Sequence, residues 1–254
     1  MSSIIEDAEA LRLTVAALTH VRNRDQLARL IQRMATFDGV RFLGFTYWRG
    51  LEYDRPVDWC ATTFPPEFHA MFGSSASVRR HKVAHRSISE LVPVDWLEVS
   101  EELGMDHPDV RSALAMGLTR TGLSCAARGH GRNFGIFYVN FDMPEDQWKS
   151  RKLSLSACVQ LIAIYIHQKL VELCPELGTP DVLSTRERAC ISLAAEGKKV
   201  KQIAHLLGIS EQTVNFYLSR ARTKLGVTNT THAAVLAAEL GLVDFEDAPI
   251  RSAV

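Results

Sequence analysis

Apolar residues recur along the chain at two spacings, one typical of helices and one typical of strands. Leu, Ile and Ala return every three or four positions over residues 4–36, which predicts two helices that meet near Asn23. Aromatic residues crowd GVRFLGFTYWRG (39–50), which predicts a strand paired with VDWCATT (57–63). Further on, GLSCAARG and NFGIFYVNFD predict a hairpin, and residues 144–172 predict one long helix. Helices before and after antiparallel strands indicate an α+β fold, arranged as an α/β/α sandwich around a mostly antiparallel sheet.

A break in this pattern divides the chain into two domains. CPELGTPDV (174–182) contains two prolines and a glycine and has no periodicity, which is typical of a linker. We therefore predict a first domain over residues 1–173 and a second over residues 183–254. A length of 254 residues suits one domain of ordinary size and one small domain.

Four short helical patterns follow the linker. The first begins at STRE (184–187), a capping box in which each side chain accepts a hydrogen bond from an amide of the helix start. The second spans residues 201–207, Gly208 turns the chain, and Ser210 can cap the third. The fourth spans residues 231–240. Two short helices joined by a glycine turn form a helix-turn-helix, so the second domain is predicted to be an all-α, four-helix unit of that type.

The third of these helices has two unlike faces. Its apolar residues fall at i, i+4, i+7 and i+11 and must pack on the other helices. The opposite side and its flanks carry amides, hydroxyls and guanidinium groups, which are the groups that contact base edges and phosphates in a DNA major groove. A solvated face on a small helical bundle is the alternative. The residues predicted to contact DNA are Lys201, Gln212, Thr213, Asn215, Ser219, Arg220, Arg222 and Lys224.

Composition and charge narrow the classes of protein. Hydrophobic residues make up 46% and charged residues 23% of the chain, as in soluble globular proteins. The net charge is zero, yet residues 183–224 hold eight basic and three acidic residues, an excess that suits a polyanion. The clean apolar run LIAIYI (161–166) is far shorter than the roughly 20 residues of a membrane span, and the acidic start lacks a signal-peptide pattern. We therefore expect a cytoplasmic protein without a membrane partner.

Catalytic and metal-binding motifs are not evident in the sequence. The five cysteines are scattered and never spaced as CxxC, which indicates neither a zinc site nor a disulfide framework. There is no GxSxG, no HExxH and no phosphate loop. We expect no catalytic residues, no metal, no cofactor and no enzymatic activity.

The second domain resembles a known family. LSTRERACISLAAEGKKVKQIAHLLGISEQTVNFYLSRARTKLGVTN is similar to the DNA-binding domain of LuxR-family regulators, with R-E, G-K, I-A, L-G-I-S, T-V and K-L-G-V in the family's order. The resemblance implies that Asn215 and Ser219 face bases. It implies that the basic side chains contact phosphates. Tyr217 departs from the family, in which many members have histidine.

The first domain resembles, more weakly, the autoinducer-binding domain of quorum-sensing LuxR proteins. The resemblance rests on Phe64-Pro65, Phe68, Phe72, Trp96 and Gly122, at the family's spacing of aromatic residues, proline and glycine. It implies that the three phenyl rings, on one stripe of a helix begun by the prolines, line an acyl pocket, and that the Trp96 indole donates to a lactone carbonyl. A plain apolar core is the alternative for the stripe. The predicted ligand-binding residues are Phe64, Phe68, Phe72, His81, Trp96 and Tyr138.

One departure bears on the ligand. Nine residues after Phe72 the family has an aspartate that accepts the amide N–H of an acyl-homoserine lactone, whereas this chain has His81 or, with a one-residue gap, Arg80. A protonated imidazole cannot accept that bond, and an unpaired amide in a closed pocket costs on the order of 1 to 3 kcal/mol. VRRHKVAHR (78–86) therefore has three interpretations: an exposed basic face, a site for an anionic or other non-lactone ligand, or a site for a lactone held by other groups.

These features together predict a LuxR-type transcriptional regulator that binds a dyad-symmetric double-stranded DNA site as a homodimer. The long helix (144–172) and THAAVLAAELG (231–241) are the expected dimer surfaces. We expect an orphan member that does not require an acyl-homoserine lactone. The alternatives are a lactone-responsive regulator and a LuxR-type protein that controls another regulator by binding it.

Overall fold

The computed structural model describes residues 2–49, 57–68, 74–129, 133–177 and 183–243. The chain forms two compact units, which among the described residues comprise 2–177 and 183–243. Each unit has a hydrophobic core of its own.

The first unit contains a five-stranded sheet. Its strands are β1 (Val40–Arg49), β2 (Trp59–Thr62), β3 (Val94–Asp95), β4 (Gly122–Arg128) and β5 (Asn133–Phe141). The spatial order is β2-β1-β5-β4-β3, and every neighbouring pair is antiparallel. The hairpin predicted from the sequence is β4–β5, at the centre of the sheet.

Helices cover both faces of this sheet. One face packs on the first two helices and the long helix, and the other packs on the short helices between β2 and β4. This is the predicted α+β sandwich, which the structure confirms. The helices of the first unit are Ser2–Thr19, Arg24–Arg33, Ser75–Arg80, Lys82–Ser89, Trp96–Leu103, Pro108–Ala115 and the long helix, Glu145–Leu173.

Strand β5 shows why two layers are needed. All nine of its residues are buried. Successive side chains point to opposite faces, so Phe137 and Val139 join the core under the long helix while Ile136 and Tyr138 join the core under the short helices. A strand buried on both faces is uniformly apolar rather than alternating, as NFGIFYVNF is.

The long helix is apolar enough to cross a membrane by length and mean hydropathy, which the prediction from the run at 161–166 did not anticipate. Part of this apolar character comes from side chains that face the core, since 39% of the most apolar stretch of the helix is buried. Leu155, Val159, Ile166 and Leu170 are buried in the core of the first unit.

The first unit extends past the end of the long helix. Residues 175–177 form a short 3₁₀ helix, and the buried Leu177 accepts a hydrogen bond of 2.5 Å from the Tyr47 hydroxyl at its carbonyl oxygen. The segment predicted as a linker (174–182) thus begins with residues that pack in the first core.

The second unit is the predicted bundle of four helices. The capping box at its start is formed, because the Ser184 amide donates to Glu187 Oε2 at 2.8 Å and the Glu187 amide donates to Ser184 Oγ at 3.4 Å. Gly208 takes the left-handed conformation, with φ of 64°, between the second and third helices. The helices are Thr185–Ala195, Val200–Leu207, the recognition helix Glu211–Leu225, and Thr230–Glu239.

Candidate nucleic-acid interface and ligand cavity

The recognition helix separates its apolar and polar residues as its sequence predicts. Val214 and Leu218 are buried against the other helices of the unit. Gln212, Asn215 and Ser219 are exposed. An amide-rich face is thus free to meet a ligand, while the opposite face holds the helix in the bundle.

The turn before the recognition helix fixes where that face points. Ser210 caps the helix by accepting the Thr213 amide at 3.1 Å. Its hydroxyl also contacts the Thr213 hydroxyl at 2.8 Å. Thr213 therefore uses its side chain within the cap, which the sequence analysis did not foresee when it placed this residue among the DNA contacts.

A buried carboxylate joins the first helix of the unit to the recognition helix. Glu187 is only 2% exposed. Lys224 Nζ lies 2.7 Å from its Oε2, and Arg220 Nε lies 3.2 Å from its Oε1. Burial acts to raise the pKa of Glu187, but hydrogen bonds from Lys224 and Ser184 outweigh it and hold that pKa below its ordinary value.

Two of the basic residues predicted to contact phosphate already have an acidic partner within the unit. Lys224 and Arg220 each have a partner inside the unit, so their contact with phosphate stays a prediction. Lys201 is exposed and Arg222 is partly buried, and neither forms an ion pair within the described residues. Among the residues predicted to contact DNA, positive charge is therefore most available at Lys201 and Arg222.

The first unit contains a cavity of about 100 Å³ between the sheet and the short helices. Its wall is mostly apolar. Four of the predicted ligand residues line it, and Phe72 lies outside the described residues. Residues that line the cavity include Phe68, His81, Trp96, Asp109 and Tyr138.

The Trp96 indole already has a partner. Its Nε1 donates to Ser124 Oγ at 3.0 Å, and Ser124 Oγ lies 2.7 Å from Ser87 Oγ. Ser87 in turn donates to the Val83 carbonyl at 2.7 Å. Ser87 and Ser124 are fully buried, so the group expected to hold a lactone carbonyl is engaged in a closed chain of hydrogen bonds.

Gly122 allows this arrangement. A Cβ atom at Gly122 would lie 2.4 Å from Trp96 Cε3, closer than any side chain can be accommodated. The indole therefore rests directly on the backbone of β4.

Aromatic rings fill the volume next to the indole. Phe64 and Phe68 stack with centroids 4.2 Å apart, and the Tyr138 ring meets Phe68 edge-on at 5.8 Å. The predicted helical stripe is wrong at its first position, because Phe64 precedes the helical residues 66–68. Burial raises the pKa of the Tyr138 hydroxyl, which hydrogen-bonds to Thr46 Oγ1.

His81 lies at the break between the helices Ser75–Arg80 and Lys82–Ser89. Its ψ of 123° is extended, and its Nδ1 lies 3.2 Å from Asp109 Oδ2. Asp109, from the helix Pro108–Ala115, supplies a carboxylate to the cavity wall that the sequence analysis missed.

Two other basic residues near His81 are also paired. Lys82 Nζ lies 2.7 Å from Glu102 Oε2, and Arg86 lies 2.5 Å from Glu90 and 3.1 Å from Glu102. Because His81, Lys82 and Arg86 each lie against an acid, these three residues do not favour the interpretation as an anion site.

Comparison with known families decides the identity of both regions. Residues 181–237 match the bacterial regulatory proteins of the luxR family, and residues 23–170, more than half of the chain, match the autoinducer binding domain. The chain belongs to the LuxR family of bacterial regulatory proteins. The resemblance proposed from the sequence is confirmed for both domains of this LuxR-family regulator.

Relatives span most of the LuxR-family chain. The transcriptional activator protein RaiR of Rhizobium etli is 28% identical over 171 residues, covering 66% of this chain and 71% of RaiR. The transcriptional activator protein LuxR of Aliivibrio fischeri is 26% identical over 187 residues, covering 71% and 73%. Among solved structures, SdiA of Escherichia coli is 22% identical with a TM-score of 0.66, covering 92% of this chain and 97% of SdiA. SdiA in complex with octanoyl-rac-glycerol is 21% identical with a TM-score of 0.69, covering 93% and 96%. At these identities the two structures show a shared fold.

The LuxR match gives the two sites their meaning. The recognition helix belongs to a LuxR-type helix-turn-helix, which marks the second unit as DNA-binding. The cavity lies in the autoinducer binding domain. Sequence reasoning missed Ser87, Ser124 and Asp109, because each meets its partner through the tertiary fold and no local motif signals the contact. Sequence reasoning used Glu187 only as a cap, because its burial and its contacts with Lys224 and Arg220 are also made through the tertiary fold.

Proposed function

We propose that this LuxR-type transcriptional regulator binds a dyad-symmetric double-stranded DNA site as a cytoplasmic homodimer, without an acyl-homoserine lactone. The observation that carries the second part is the hydrogen bond from Trp96 to Ser124, which occupies the polar group expected to receive the lactone. No catalytic role is assigned to the chain.

The case for sequence-specific DNA binding rests on the recognition helix. Asn215 and Gln212 are exposed amides, the side chains that pair with adenine, and Ser219 can meet either kind of base edge. Lys201, exposed on the preceding helix, is suited to a phosphate.

The case for a dimer follows from the small number of base pairs that one recognition helix can contact. One recognition helix reads a few base pairs, so specificity in a genome requires two half-sites related by a dyad. The long helix offers a contact surface, since Leu153 is 83% exposed and Leu161 and Ile164 are also exposed.

The case for ligand independence rests on the cavity. Its volume of about 100 Å³ is well below the roughly 300 to 1,000 Å³ of ligand pockets. Phe64, Phe68 and Tyr138 occupy space that an acyl chain would need. His81 or Arg80 corresponds by the resemblance to the family's aspartate, so neither supplies the carboxylate acceptor, and His81 lies 3.2 Å from Asp109.

A lactone-responsive regulator is the second candidate. An apolar cavity persists beside Trp96, and the domain that contains it matches the autoinducer binding domain. In this case Asp109 would accept the ligand amide in place of the missing aspartate, and Trp96 would exchange Ser124 for the lactone carbonyl.

One experiment tests the proposal. The full chain, expressed in a host that makes no acyl-homoserine lactone, is used to select sites from random DNA and then measured by footprinting. We expect soluble protein and a palindromic site whose binding does not change when lactone is added. Asn215→Ala should weaken binding by about 1 to 3 kcal/mol and relax one position of each half-site. Lys201→Ala serves as the matched comparison, since it should weaken all sequences alike and lower the salt dependence.

Selection of no preferred sequence would refute sequence-specific binding. Insoluble protein that lactone rescues during expression would favour the second candidate instead.

A further inference from the structure

Phe216 is an exposed aromatic residue at the middle of the recognition helix. It is 54% exposed, although a phenyl ring on a helix of a folded domain is normally buried. Residues two positions apart on a helix lie about 200° apart around its axis. Phe216 therefore points away from both Val214 and Leu218, which are buried in the bundle. It lies beside Gln212 and Ser219 on the exposed side of the helix.

Neighbouring side chains hold the ring in place. The Arg220 guanidinium carbon lies 5.7 Å from the ring centroid, and the Tyr217 ring meets it edge-on at 5.6 Å. Arg220 is itself held by Glu187 at 3.2 Å. The ring is thus oriented on one side by a fixed cation and open on the side that faces away from the bundle.

We propose that Phe216 reads thymine, by packing its ring against the C5-methyl group in the major groove; this inference rests on the proposed sequence-specific binding. Thymine alone among the four bases presents a methyl group in that groove, and phenylalanine is one of the side chains that contact it. Asn215, the preceding residue, is suited to adenine, so the two side chains together favour A·T pairs in each half-site.

The surroundings favour DNA over an apolar protein partner. Among the described residues of the recognition helix, Phe216 is the large apolar side chain that stands exposed, and polar or cationic groups surround it. A protein-binding patch would require further apolar side chains beside the ring. Contact with a single methyl group of DNA requires only one apolar side chain.

Replacing thymine by deoxyuridine tests the inference, because it removes the methyl group and leaves every hydrogen-bonding group in place. Each thymine of the selected site is replaced in turn, and the full chain is titrated by fluorescence anisotropy. Burial of one methyl group is worth roughly 0.8 kcal/mol, so we expect one thymine per half-site whose replacement weakens binding about fourfold, and about fifteenfold when both half-sites are changed. Phe216→Ala should bind thymine and uracil sites equally, whereas Phe216→Leu should keep part of the difference.

Leu91→Ala is the matched control. Leu91 is an exposed apolar residue of the first unit, 80% exposed, and its loss should leave both the affinity and the sensitivity to uracil unchanged. Circular dichroism checks that the variants fold. The uracil scan on the unaltered chain needs no variant at all.

The outcomes separate this inference from the proposed function. A selected site that tolerates uracil at every position overturns the role of Phe216 and leaves sequence-specific binding standing. Equal sensitivity to uracil in Phe216→Ala and the unaltered chain has the same meaning. Failure to select any site overturns both.

Discussion

The recognition helix and the cavity of the first unit treat their polar side chains in opposite ways. On the helix, the amides of Gln212 and Asn215 are exposed and have no partner among the described residues. In the cavity, the indole N–H of Trp96 and the hydroxyl of Tyr138 both have internal partners. Polar groups without internal partners are available to a ligand, so the recognition helix offers its amides for binding, whereas these two polar groups of the cavity are hydrogen-bonded within the fold.

Two buried titratable residues differ in the same way, since one has hydrogen-bond partners and the other lacks one in the part of the chain that the structure describes. Glu187 is buried and has three partners, the Ser184 amide, Lys224 and Arg220. His167 is buried on the long helix, and its Nε2 has no hydrogen-bond partner among the described residues. The two groups should therefore respond to mutation in opposite directions, because loss of Glu187 leaves two cations without their partner, whereas loss of His167 removes an unsatisfied polar group. Both groups should lower the stability of the fold as the pH falls.

The largest expected effect is the loss of the Glu187 carboxylate. Glu187→Ala removes two ion pairs and half of a capping box. Because Lys224 and Arg220 are partly exposed and can regain water, we expect the second unit to lose about 3 kcal/mol of unfolding free energy. Its thermal midpoint should fall by more than about 10 °C in a calorimetric scan of the full chain.

Two further variants sharpen this prediction. Glu187→Gln keeps the reciprocal cap and loses only the charge, so it should lie between the unaltered chain and Glu187→Ala. Glu196→Ala, at an exposed position after the same helix, should have little effect. Because the pKa of Glu187 is lowered in the fold, its contribution should be present above the ordinary carboxyl pKa and disappear as the pH falls below it. Unchanged melting of Glu187→Ala would mean that the ion pairs contribute nothing.

The next effect is the pH dependence caused by His167. Burial lowers the pKa of this histidine from 6.5 to about 4, and its ring packs on Tyr47 with centroids 5.5 Å apart. Between these values the unfolded chain binds a proton that the folded chain refuses, so stability should fall by about 2 kcal/mol from pH 7.5 to pH 5. His167→Leu should remove this part of the pH dependence of urea unfolding. His232→Gln, which changes an exposed histidine, should not, and an equal pH slope in His167→Leu would contradict the assignment.

The second unit could be predicted almost completely, because its information is local. The capping box at Ser184, the left-handed Gly208 and the Ser210 cap each involve residues within a few positions, and all are formed as the motifs indicate. The sequence did not indicate which predicted DNA-contacting side chains already have partners within the unit. Thr213 serves the cap, and Lys224 serves Glu187 from 37 positions away.

The cavity could be predicted only in outline, because its contacts are non-local. The resemblance to the autoinducer-binding domain placed Phe68, Trp96 and Tyr138 at one site, and the structure brings them to one cavity. Ser124 meets Trp96 only because β4 and the helix Trp96–Leu103 pack together, and that helix had no evident pattern of its own. The break between two helices at His81 has no proline or glycine in VRRHKVAHR (78–86) to indicate it.

The smallest expected effect concerns acyl-homoserine lactones. A ligand that stabilises the fold raises its unfolding free energy by RT ln(1 + [L]/Kd), so a lactone present at one tenth of its Kd contributes only about 0.06 kcal/mol. With Trp96 engaged by Ser124, and His81 in place of an acceptor, we expect micromolar lactone to leave the melting temperature of the first unit unchanged within error. Ser124→Ala provides the sensitive comparison, because it removes the acceptor of the indole N–H and leaves that donor for a lactone carbonyl. The variant should melt earlier than the unaltered chain and should gain more from added lactone. A rise of several degrees in the unaltered chain would instead show that Asp109 or another group holds the ligand, and that the closed hydrogen-bond chain opens to admit it.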